Sequence, residues 1–306
     1  MGYLKNNNET NHNLSVEYNL YKPFWKLLNM YNTFYINYST LYNLKDFSSF
    51  SLNLNTKGVF KNYLFSFFEF SYAPYGVIDY YEPHVEGRFY KMPEHIYFNF
   101  MLSPDYRKNF LIDFNGGGSK VFHDIERFSV WCGLSPRIRF NNKFLLVLGS
   151  NLSFSNNGKG FYDKSEQNEI TFGNRTVTTI TNTISTSYIF NKKSSLNLRG
   201  RHYWSKAEYT QEYTLLNNGN LATNYLQYNR LKDVSFNAFT IDMSYTWNFA
   251  PGSEISIVWK NSILKSENGE ITSNYFDNFY NTIYSSQLNS FSLKVLYYVD
   301  YELLFR

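Results

Sequence analysis

From Phe291 to Phe305 every odd position is apolar or aromatic, while the even positions include Ser292, Lys294, Asp300 and Glu302, with Leu296, Tyr298 and Leu304 the exceptions. A period of two with one apolar face is the mark of a β-strand. The same alternation runs through Phe239–Phe249, Ile255–Trp259, Leu196–Trp204, Ile180–Phe190 and Phe128–Phe140. Weaker versions cover 13–21, 30–39, 49–56, 62–73, 94–102, 109–117 and 143–155. Segment 62–73 is apolar on both faces apart from Glu69, so its facing stays open. The pattern predicts an all-β chain of about thirteen antiparallel, up-and-down strands.

Soluble β-sandwiches alternate as well. Two features favour a transmembrane β-barrel instead. Many of these segments reach the ~9–11 residues that span a bilayer, whereas globular strands run to ~5–6. The apolar faces are also rich in Tyr, Trp and Phe rather than in Val alone.

The connections fall into two classes that alternate along the chain. Those at 103–108, 140–143, 191–194 and 249–254 are tight, and those at 74–93, 156–169, 207–232 and 265–288 are long and polar. Short periplasmic turns with long extracellular loops are the asymmetry of outer-membrane barrels. If the last strand ends in the periplasm, every short turn from 103 onward falls on that side. Segment 207–232, with EYTQEYTLL and TNYLQYN flanking NNGN, reads as a hairpin above the membrane.

Composition sharpens this picture. Aromatic residues make up 21% of the chain, with 29 Tyr and 29 Phe, as an apolar band with interfacial girdles requires. Mean hydropathy is −0.43, and no run approaches the ~20 apolar residues of a spanning helix. A single Cys132 excludes a disulfide framework and a multi-thiolate metal site. A net charge of +4 without clustering argues against a nucleic-acid partner.

On this register the lumen face carries Arg127, Arg137, Arg139, Arg199, Arg201, Lys260 and Lys294, together with Asp113, Asp242, Asp300 and Glu302. Trp131, Tyr203 and Tyr298 are candidate lumen aromatics that could stack on sugar rings or fill space. One reading is an ion- or sugar-selective pore wall. The other is a charge-balanced interior, which the mixture of signs favours. Arg199 and Arg201 are expected near Asp242 on the next strand.

Catalytic and cofactor chemistry finds little footing. FNGGGSK at 114–120 lacks the spacing of a phosphate loop and reads as a surface loop. The five histidines, His12, His84, His95, His123 and His202, form no zinc motif. His202 falls on the lipid face as a girdle residue. His84 with Asp79 and Glu82, and His123 with Asp124, are the rim candidates for a hydrolase, yet no nucleophile pairs with them. No catalytic residue, metal or cofactor is expected.

Three stretches carry a resemblance: RFYKMPEHIYFNFMLSPDYRKNF at 88–110, NFAPGSEISIVWKNS at 248–262 and NSFSLKVLYYVDYELL at 289–304. They resemble the C-terminal barrel of a family of bacterial outer-membrane proteins. In that family the barrel, itself a domain of unknown function, follows an N-terminal domain similar to family 9 carbohydrate-binding modules. The resemblance implies the outer membrane of a diderm bacterium and a surface role, with glycan handling in view, and no established activity. Its implied partners are outer-membrane lipid, the barrel-assembly machinery and glycans. Three functions compete: a barrel anchoring or serving a carbohydrate-related exported domain, a porin-like channel for small solutes or sugars, and a rim-active hydrolase.

Residues 1–12 are expected as disordered or linker, and 13–306 as a partial barrel. Thirteen strands leave first and last parallel, whereas single-chain bacterial barrels normally count even. MGYLKNNNET carries no signal peptide. Both observations lead to the expectation that the natural protein starts upstream of Met1.

Overall fold

Residues that alternate between apolar and polar pair into ladders that put one kind on each side of a sheet. The computed structural model describes residues 8–122, 124, 126–223, 233–269, 271–299 and 301. Its strands are β1 (Glu9–Leu20), β2 (Leu27–Leu41), β3 (Phe47–Phe60), β4 (Phe65–Ala73), β5 (Val77–Asp79), β6 (Tyr90–Met92), β7 (His95–Ser103) and β8 (Phe110–Val121). They continue as β9 (Phe128–Arg139), β10 (Phe144–Lys164), β11 (Ile170–Asn191), β12 (Ser194–Leu215), β13 (Leu221–Thr223), β14 (Val234–Ala250) and β15 (Ser253–Asn268). A helix, α1 (Tyr275–Ile283), precedes the last strand, β16 (Leu288–Leu296). Among the described residues no helix is long and apolar enough to cross a membrane, which bears on helices alone.

All sixteen strands belong to one antiparallel sheet, and thirteen of them form a continuous up-and-down path, β1-β2-β3-β4-β7-β8-β9-β10-β11-β12-β14-β15-β16. The expected strand count is this path. The sheet is open: among the described residues β1 is laddered to β2 alone and β16 to β15 alone.

Register sorts the residues into two faces. Phe34, Leu54, Phe70, Phe98, Gly118, Val130 and Phe154 stand opposite one another across seven strands. One residue further along, Tyr35, Asn53, Ser71, Tyr97, Ser119, Ser129 and Ser155 form the other face. The apolar face continues through Ile184, Leu198, Met243, Ile257 and Leu293 to the last strand. Segment 62–73 now has a facing: Phe68 and Phe70 pair with Phe100 and Phe98 on the apolar face, and Glu69 pairs with Asn99 on the polar one.

Several expectations need correction. β1 begins at Glu9, inside the segment expected as linker. FNGGGSK is not a loop but lies in β8, because Gly116, Gly117 and Gly118 leave room for the rings of Phe98, Phe100 and Trp131. A Cβ on Gly117 would run into the carbonyl of Phe98 and the Trp131 indole. Most of the expected loop 156–169 is strand, since β10 and β11 stay paired to Lys164 and Ile170 beyond two bulges. Likewise β12 runs on to Leu215 and pairs with β13, the hairpin expected for 207–232, while residues 224–232 lie outside the described region. The last strand ends at Leu296 rather than Phe305, and Asp300 and 302–306 lie outside the described residues.

The long connections gather at one end. There β5 pairs with β3 and with β6, while the Lys91 N–H of β6 donates to Gly219 O in the β12–β13 turn, at 2.8 Å. Seven ladder spacings separate β3 from β12 along the sheet, roughly 34 Å at ~4.8 Å each. Through this connection three suffice, so the sheet folds back on itself at this end. Tyr90, Ile170, Phe172 and Leu215 bury a small core beneath the crossing segment, and Arg88 donates to Leu215 O at 2.6 Å.

Candidate functional site

Near the end of the path the polar face carries a row of charges. Arg199 of β12 stands directly opposite Asp242 of β14, and Asp242 directly opposite Lys260 of β15. Arg201 faces Thr240 one step up, and Lys294 of β16 faces Ser256 near the short-turn end. The residues of the row share a face because antiparallel partners point the same way.

The row lines a cavity of about 590 Å³ whose walls also include Ser185, Asn197 and Ser244. None of Arg199, Asp242 and Lys260 enters an ion pair within 4 Å among the described residues, unlike Lys159–Asp124 or Lys206–Glu208. Two cations and a carboxylate, edged by hydroxyls and an amide, therefore offer donors and acceptors to water or to a polar solute. Tyr203 lies beside the row, its ring 5.7 Å from the Arg201 guanidinium and 6.1 Å from Phe236.

The other expected lumen residues lie apart from this row, with Asp113, Trp131, Arg137 and Arg139 on the same polar face. Arg127 precedes β9 and donates to the Tyr90 hydroxyl at 2.7 Å, which ties it to the crossing segment. Burial pushes the Tyr90 hydroxyl up from its ordinary pKa, and the Arg127 charge works against that shift. Arg137 keeps to the polar face beside Tyr106, 5.1 Å from its ring, and Arg139 ends β9 at the short-turn end. Trp131 stacks on Tyr97 at 5.3 Å. Asp113 accepts from Tyr106 at 2.7 Å. Tyr298 comes after the end of β16 and donates its backbone N–H to Ser253 Oγ at 3.0 Å; Asp300 and Glu302 lie outside the described residues.

The rim candidates are occupied with structure. The Asp79 carboxylate accepts from the backbone of Tyr81 and Glu82, Glu82 accepts from Phe161 N, and His84 stacks flat on Phe161 at 4.5 Å. Asp124 pairs with Lys159 at 2.7 Å, while His123 is outside the described residues.

What the strand pattern missed is α1. Its inner side meets the apolar face where that face turns polar: Tyr275 Oη contacts Asn182 Nδ2 at 2.7 Å and His202 Nδ1 at 3.0 Å, and Asn278 exchanges two amide hydrogen bonds with Asn237. His202 is thus buried under a helix and not a girdle residue open to lipid. The signal lay in the sequence: Asn274 caps the helix by accepting from Phe276 N and Asp277 N, and Tyr275, Asn278, Phe279 and Thr282 recur at helical spacing.

Compared with known proteins, the chain matches over residues 1–305 the family described as a domain of unknown function, DUF5916. No curated protein and no solved structure matches it.

Proposed function

The chain belongs to the DUF5916 family, and from that premise we propose that it is the membrane-embedded wall of an outer-membrane β-barrel that anchors a surface protein. One observation carries the reading: an apolar face runs across thirteen antiparallel strands, much of it exposed and part of β12, β14 and β15 covered by α1, with a polar face behind it. In water such a face would be a very large apolar patch; in a bilayer it is the band that lipid requires. Charged side chains on it, Lys120, Lys206 and Lys265 among them, stand toward the long-connection end. The proposed setting is the outer membrane of a diderm bacterium, where lipid and the barrel-assembly machinery are the partners. Service to a carbohydrate-related exported domain, and contact with glycans, rest on the resemblance of 88–110, 248–262 and 289–304.

The segment crossing from β3 to β12 favours an anchor over an open pore, because it spans the long-connection end. A second reading, a channel for small polar solutes, is favoured by the unpaired Arg199–Asp242–Lys260 row. Planar-bilayer recording of the protein in its native membrane extract separates them. An anchor gives no steady conductance; a channel gives it, and Asp242→Lys would then raise its anion preference. Absence of the protein from the detergent-extracted outer-membrane fraction would end both readings.

A further inference from the structure

Resting on the barrel reading, we infer that the open edges of β1 and β16 are the docking site of an odd number of further membrane-spanning β-strands, supplied by polypeptide outside these 306 residues.

The two edges are unusually bare. On β1, Leu14, Val16 and Tyr18 are 62–66% exposed, and on β16, Phe291, Leu293 and Val295 are 59–74% exposed, against 42% for both Phe34 and Ile257 one strand further in. Every residue of β16 is exposed on both faces. Its twelve-residue counterpart β1 pairs with β2 without a bulge, and neither strand contains Pro. Natural sheets blunt free edges with prolines, bulges, very short strands or charges. The edge charges are Glu9 and Glu17 on β1 and Lys294 on β16, and all three are on the polar face, where a barrel wall carries charges anyway. Such edges leave a row of backbone N–H and C=O groups unpaired, which hydrocarbon does not tolerate.

Direction selects the occupant. β1 and β16 are first and last of thirteen antiparallel strands, so both run from the long-connection end to the short-turn end. An occupant antiparallel to both runs the opposite way and contributes an odd number of strands. A second copy in the same membrane orientation presents edges running the same way as β1 and β16, and its pairing would be parallel. The occupant's edge strands are therefore nine to twelve residues or more, to match β16 and β1, with apolar and polar residues alternating. Its recognition is main-chain hydrogen bonding, with register fixed by the two faces.

The test uses the protein in its native outer membrane, with photo-crosslinking p-benzoylphenylalanine at Val16, Leu293 or, as control, Phe98. Half of the copies carry a heavy isotope. Phe98 lies inside the sheet, and lipid adducts there report the membrane reading separately. The expected result is that Val16 and Leu293 each yield a shifted band whose crosslinked peptide lies outside these 306 residues. Each peptide should alternate in apolarity, and both should come from one polypeptide. Adducts joining Val16 to residues 288–296, within one copy or between copies, would overturn the inference. So would lipid adducts at Val16 and Leu293 like those at Phe98. No lipid adduct at Phe98 would remove the barrel reading and the inference with it.

Discussion

At the scale of single residues, the short-turn end shows how one pair fixes local chemistry. Arg107 donates bidentately to Asp105, with Nη2–Oδ2 at 2.6 Å, and lies over the Tyr63 ring at 4.0 Å, tying two neighbouring turns together. These hydrogen bonds lower the Asp105 pKa from 3.8 to about 2. A depressed folded-state pKa stabilises the fold above pH 3.8, and this contribution is lost as pH falls through about 2. Arg107→Ala should bring the Asp105 midpoint back toward 3.8, as followed by carboxylate NMR; a midpoint still near 2 would contradict the assignment. Gly117 offers a second test. Its Cβ would meet Trp131 and the Phe98 carbonyl, so Gly117→Ala should destabilise the fold by about 1–3 kcal/mol in urea titration of the refolded protein. Facing was legible residue by residue, because Arg199 and Arg201 share a parity and the ladder sets them on one face, opposite Asp242 and Thr240. The fate of the three glycines was not. Whether a glycine run is a loop or a niche depends on the size of side chains on strands not adjacent in sequence.

At the scale of elements, long strands were legible and their extensions were not. Periodicity found β9, β12 and β14, yet it stopped short on β10 and β12, where Asn156–Asn157 and Thr210 mark bulges that shift the alternation. The helix was hidden by its setting in a polar connection, although cap and spacing announced it. Its grip on the sheet is polar. The Asn237–Asn278 amide pair is buried, so Asn278→Leu leaves Asn237 without its partner, at a cost of about 1–3 kcal/mol. The double variant Asn237→Leu/Asn278→Leu should recover much of that loss, because two apolar groups replace the unpaired amide. Urea midpoints of Asn237→Leu, Asn278→Leu and the double variant decide it. If the double variant is as weak as the sum of the single ones, the pair is not coupled.

At the scale of the whole molecule, strand number and order could be read because each tight turn forces its neighbours antiparallel, and thirteen alternations leave little freedom in sequence order. The crossing of β5 and β6 to β12 could not be read, since it depends on how far the sheet folds back. Which face meets lipid is the remaining whole-molecule question, and adjacent residues of β9 can answer it. Leu134 lies on the apolar face opposite Phe114, and Ser135 lies on the polar face opposite Asp113. If lipid covers the apolar face, Leu134→Lys should cost about 2–4 kcal/mol when unfolding is measured in liposomes. Ser135→Lys should be close to neutral, because water reaches its face and Asp113 offers a counter-charge. In a sheet exposed to water on both sides the order would change. The ammonium introduced by Leu134→Lys would then be an ordinary solvated surface charge, and the two variants would unfold together. Equal midpoints would therefore remove the lipid contact on which the barrel reading depends.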